Sequence, residues 1–168
     1  MTLFRNFLFL SILVISSSSS YQKFSPIFDY EEVLTKREER KLKKLYQKHE
    51  AKTSNQIALV TSADLDGYED IQEYATDFGN KHGVGVAEKD NGIIIAFSGA
   101  QRKVGIATGL QMENILTDSI AKVVIDSVII PHFKKGETYD GLMAGSKAII
   151  QYLEKQKIRK PFIGTPKF

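Results

Sequence analysis

Three carboxylates, Asp90, Glu113 and Asp118, lie in one stretch of chain, Lys89–Asp118, whose pattern folds back on itself. Asp90-Asn91-Gly92 is a turn that launches the apolar run Ile93–Phe97. A second turn, Ser98–Gln101, precedes Lys103–Ala107, where Val104 and Ile106 alternate with smaller or polar residues. Two such runs joined by a short glycine-containing loop read as a β-hairpin. Antiparallel pairing returns Thr108-Gly109 to the neighbourhood of Asp90, and Glu113 and Asp118 follow at once. Three acids on one sheet edge repel one another, and a cation or bound protons would hold them together. Oxygen-only donors with no cysteine and no adjacent histidine suit a hard ion, calcium first and magnesium second, rather than zinc. Each acid also has a plainer use. Asp90 fits a turn, Glu113 fits a solvated surface, and Asp118 complements the dipole of a helix that Thr117 caps.

Other chemistry-bearing residues carry weaker signals. Asp64-Leu65-Asp66-Gly67 resembles the start of a calcium loop but lacks the acid at the fifth position and the terminal bidentate acid, so a loop role is expected. His49, His82 and His132 have neither ligand spacing nor a nucleophile beside them in a recognisable motif. Gly83-Val84-Gly85 lacks the third glycine of a dinucleotide loop and follows a helix. Arg102 and Lys103 are the cations closest to a phosphate clamp, but the topology puts them at the far edge from Asp90.

The elements that position these residues follow from periodicity. Thr35 and Glu38 form a capping box opening a helix to about Lys52, with Leu42, Leu45 and Tyr46 on one face. Its basic run, KREERKLKKLYQK, reads as a solvated face laced with opposite charges. Gln56–Ser62 is a near-continuous apolar strand. Asp70–His82 is helical, with Ile71, Tyr74, Ala75 and Phe78 on one face. After the hairpin comes a helix from Thr117 that is expected to end near Pro131, then a last helix from about Tyr139 to Lys157. A right-handed strand–helix–strand crossover makes the first two strands parallel, and the hairpin adds a third, antiparallel strand. The expected fold is therefore α/β, a three-layer α/β/α sandwich around a small mixed sheet. Asn55, Asp90 and Gly109 should share one edge, with Asp64 and Gly99 on the other. A short fourth strand is expected in Gly83–Lys89 or in the tail.

The 168 residues suit one domain, and 42% apolar with 26% charged content suits a soluble one. Residues 1–20 have the plan of a secretory signal peptide: Arg5, the short apolar run Phe7–Ile15, then Ser16–Ser20. Residues 21–28 are expected to be a mobile leader, 29–157 the domain, and 158–168 a disordered tail. Loss of Arg5 leaves 22 basic and 20 acidic residues, +2, which implies no nucleic-acid partner. The mature chain has no transmembrane candidate and is expected to be exported, periplasmic or secreted. The absence of cysteine excludes disulfides and thiolate metal sites.

The stretches IALVTSADLDGYEDIQEYA, KDNGIIIAFS, RKVGIATG, LTD and IIPHFKKGETYDGLMAGSKAI, in that order, resemble the TPM domain family over roughly Phe28 to Leu153. The resemblance implies an α/β/α sandwich of the kind found in bacterial envelope proteins and in a thylakoid-lumen protein. That lumenal member is associated with acid phosphatase activity, calcium binding and photosystem repair. The family's acidic site falls on Asp90, Glu113 and Asp118. The family commonly has G-Y-G-L-E where this chain has Gly109-Leu110-Gln111-Met112-Glu113, so Gln111 replaces a glycine and the ion affinity is expected to differ. Two functions are then in competition. One is a divalent-cation-binding module acting through an envelope protein partner. The other is a metal-assisted acid phosphatase of phosphorylated substrates, with Asp90, Glu113 and Asp118 as its catalytic acids. The missing phosphate clamp favours the module.

Overall fold

The computed structural model describes residues 24–86 and 88–159. Its sheet has four strands in the order β1 (Ile27–Asp29), β2 (Gln56–Thr61), β3 (Gly92–Ser98) and β4 (Lys103–Thr108). β1 and β2 are parallel, β2 and β3 are parallel, and β3 and β4 are antiparallel. The βαβ unit and the hairpin are as the sequence implies. The fourth strand is elsewhere: it is β1, which begins within residues 21–28, the stretch expected to be a leader, and neither Val84–Val86 nor any described residue after β4 forms one. Three residues are too few to display an alternation. β1 exists because β2 offers a parallel edge, with Leu59 N–H donating to the Pro26 carbonyl at 2.8 Å.

Successive β residues point to opposite faces, and each face has its own core. Ile57, Leu59, Ile93, Ile95, Phe97 and Ile106 pack against α1 (Lys36–Thr53) and the C-terminal helices. Ala58, Val60, Ile94, Ala96 and Ala107 pack against Ile71, Tyr74, Ala75 and Phe78 of α2 (Ile71–Lys81). Helices thus cover both faces, giving the expected sandwich. The Thr35 capping box is present in full, and α1 ends at Ser54, whose left-handed backbone (φ 63°) donates to the Glu50 carbonyl.

A short α3 (Leu110–Glu113) follows β4, and then α4 (Asp118–Val124), capped by Thr117. The helix was expected to stop near Pro131. Instead it runs on through a π-helical stretch, Ile125–Ile129, into α5 (Ile130–Phe133). A proline needs the hydrogen bond to the preceding turn removed and room made for its ring, and a π stretch immediately before it supplies a looser turn. α6 (Thr138–Arg159) packs alongside and reaches two residues past the expected limit. It begins beside the Gly99 turn and ends beside Asn55, so it runs the length of the sheet. Tyr46 of α1 and Ser146 of α6 are joined by a buried hydroxyl–hydroxyl hydrogen bond of 2.7 Å, and Ser146 also donates to the Leu142 carbonyl. No helix among the described residues is long and apolar enough to cross a membrane. The expected signal peptide, residues 1–20, and the end of the expected tail lie outside the described residues.

Candidate functional site

The Asn55 edge is built from three pieces of backbone pressed together. Gln56 is in register with Gly92, and Gly109 N–H donates to the Gly92 carbonyl at 2.9 Å. A Cβ on Gly92 would stand 2.1 Å from the Val84 carbonyl oxygen, and one on Gly109 would stand 2.3 Å from the Asp90 carbonyl oxygen. Only glycine permits these approaches. They lock the loop after α2, the turn before β3 and the start of α3 into one ledge. Gln111 N–H donates to the Asp90 carbonyl at 3.3 Å, so the residue in place of the family's glycine is tied to the turn by its backbone while its side chain is exposed.

Asn91 is the organiser of this edge, and the reading of the sequence passed over it. Its buried amide donates to the Ser54 carbonyl at 2.9 Å and to Asn55 Oδ1 at 3.3 Å, and its oxygen accepts from Val86 N–H at 2.8 Å. One side chain therefore ties the end of α1, the loop after α2 and the turn together. Its place in Asp-Asn-Gly signalled a turn and nothing more.

Asp90 sits beside Asn91 with φ +40°, a left-handed conformation that carries its side chain outward. Glu113 ends α3 and Asp118 opens α4, both exposed. The structure sets Asp90 in the turn pressed against Gly109 and Glu113 at the end of the short helix that starts there, while Asp118 opens the next helix. It does not gather them into a cage. Among the described residues no set of three or more histidines and acids is grouped to hold a metal ion. Carboxylate oxygens are donors of the kind calcium and magnesium take. Leu110, the first residue of α3, is 68% exposed. A cleft of about 340 Å³ opens next to the ledge, lined by Asn55, Met112, Asn114 and Leu153 among others.

The remaining candidates are structural. Asp64 accepts from Asp66 N–H and Ser62 Oγ in the loop after β2, at the opposite edge. His82 stacks on Phe78 with ring centres 3.8 Å apart, and His132 pairs with Glu137 at 2.7 Å. Arg102 and Lys103 lie at the Gly99 edge, away from Asp90, and Lys103 donates to the Glu69 carbonyl. His49 is buried, with neither ring nitrogen hydrogen-bonded.

A family model for the TPM domain matches residues 27–152. Among solved structures, the N-terminal domain of a P. gingivalis protein superposes with a TM-score of 0.71 at 24% identity, over 79% of this chain and 83% of that one. The BA42 protein of Bizionia argentinensis gives 0.64 at 21% identity, over 75% and 85%. The N-terminal domain of the cg2496 protein of Corynebacterium glutamicum gives 0.59 at 15% identity, over 91% and 92%. These likenesses speak to the fold. No curated protein matches the chain. The family match begins at the first residue of β1 and runs well into α6, spanning both cores and the acidic edge, and on that ground the chain belongs to the TPM-domain family.

Proposed function

We propose that this chain is an exported TPM module that takes up a divalent cation, calcium first and magnesium second, at the edge carrying Asp90, Glu113 and Asp118, and acts through a protein partner. The observation that carries the reading is the construction of that edge. Backbone contacts at Gly92 and Gly109 and the buried Asn91 amide hold it rigid, while its acids and Leu110 are left facing solvent. A rigid ledge with an exposed apolar residue among carboxylates suits recognition of another surface. Carboxylates that supply part of a shell suit an ion whose remaining ligands are water and groups brought by the partner. Gln111 in place of the family's glycine is compatible with this reading, because its backbone is spent on Asp90.

Thermal melts in calcium, in magnesium and in chelator test the cation. A bound ion stabilises the fold by mass action, by about 2.7 kcal/mol at a hundredfold excess over its dissociation constant. Calcium is expected to raise the melting temperature, and Asp90→Asn and Asp118→Asn each to abolish the rise. Identical melts of the unaltered protein in all three solutions would remove the ion from the reading. A phosphomonoester assay on the same samples separates the other function. Cation-dependent hydrolysis that Asp90→Asn eliminates would make the domain a phosphatase.

A further inference from the structure

The opposite edge of the sheet carries a second, differently built opening. A cleft of about 640 Å³ lies between the start of β4 and the α5–α6 turn. Its floor is apolar, made by Phe97, Val104, Ile130 and Phe133, with the Phe97 and Phe133 rings 4.9 Å apart. Its rim carries Arg102 and Lys134, both exposed, and neither forms an ion pair with any described residue. The nearby acid Glu31 is already engaged, its carboxylate accepting from the Gly99 and Ala100 amides.

The backbone beside this cleft is unpaired. β4 is the last strand of the sheet. Gly109 N–H bonds to the Gly92 carbonyl, and antiparallel pairs alternate between bonded and non-bonded. The bonded pairs are therefore Ile94 with Ala107 and Ala96 with Gly105, while Ile106 and Val104 turn their N–H and C=O groups outward. The outward carbonyl of Ile106 is covered by the Gln72 side-chain amide at 2.6 Å. Among the described residues no side chain does the same for Val104, which is the residue that lines the cleft.

We propose that the cleft receives an extended acidic peptide that adds to β4 at Val104, sets an apolar side chain on the Phe97–Phe133 floor and sets carboxylates against Arg102 and Lys134. Strand addition uses the outward main-chain groups, and every second side chain of the added strand faces the cleft, so the apolar residue and the carboxylates that flank it share that parity. The charge of the rim selects acidic over basic sequence. This site lies at the other edge from Asp90, so it is independent of the cation.

The test uses the full chain and two labelled eight-residue probes, one with glutamate, phenylalanine, valine and glutamate at every second position and serine between, the other with lysine replacing each glutamate. The acidic probe is expected to bind and to slow hydrogen exchange of the Val104 amide. The double variant Arg102→Glu/Lys134→Glu, whose altered side chains are exposed, is expected to weaken the acidic probe by at least about tenfold and to gain affinity for the basic one. Chelator and Asp90→Asn should leave binding unchanged. Equal binding of both probes, no protection of Val104, or no binding would overturn the proposal. So would displacement of the probe by millimolar inorganic phosphate, or stronger binding to phosphatidylglycerol vesicles that the same double variant abolishes.

Discussion

His49 and Tyr46 stand three residues apart on α1, both buried, and their polar atoms fare differently. The Tyr46 hydroxyl has Ser146 as a partner, and burial pushes its pKa well up, so it stays a neutral donor or acceptor at any ordinary pH. The His49 ring, only 2% exposed, has no partner for either nitrogen. Burial holds its pKa below the usual imidazole value, Glu154 on α6 opposes this, and Lys52 adds to it. As pH falls through about 6.5 the unfolded chain takes up a proton that the folded chain refuses, so stability drops from there down to the folded pKa. The melting temperature is expected to fall between pH 7 and pH 5, and His49→Leu to flatten part of that slope. Because an unpartnered buried polar group costs about 1–3 kcal/mol, His49→Leu should also be neutral or stabilising at pH 7. Calorimetry across that range on both proteins checks it. A large loss of stability in the variant at pH 7 would mean that the imidazole has a partner.

At the scale of elements, the joint between β4 and α3 is the least forgiving. A Cβ on Gly109 would meet both the carbonyl carbon and oxygen of Asp90. Gly109→Ala must therefore move the turn, at an expected cost of about 2–3 kcal/mol by urea denaturation, with loss of any calcium response. A variant as stable as the parent would show that the ledge is softer than its packing implies. Long, strongly periodic elements were readable before the fold: α1 from its capping box, α2 from its apolar face, the hairpin from its two turns. What escaped was set by partners rather than pattern. β1 owes its existence to the edge of β2, and the continuity through Pro131 owes its existence to a widened turn before it. The topology implied that Asp90, Glu113 and Asp118 converge, whereas among the described residues they are exposed and form no group of three that could hold a metal ion. Asn91 was illegible because an amide's worth depends on three segments distant in sequence.

For the whole molecule, the two edges of the sheet carry different exposed groups. Asp90, Glu113 and Asp118 are at one, and Arg102 and Lys134 rim the cleft at the other. If residues 1–20 act as the signal segment their pattern implies, intact mass of the protein from its native host is expected to correspond to a start near Ser20 or Tyr21. Retention of Met1–Ser20 would make the segment an anchor instead.

The path of the chain through the sheet has a further consequence. β1 runs parallel to β2, whose first residue adjoins the acidic ledge, and α6 finishes beside Asn55 at the same end. The domain's entrance and exit are therefore on one side, like both leads of a plug. Any tether, fusion partner or neighbouring module joined there crowds the acidic ledge and holds the basic cleft outward. A fluorescent protein joined directly after Arg159 would accordingly stand nearer Asn55 than Gly99.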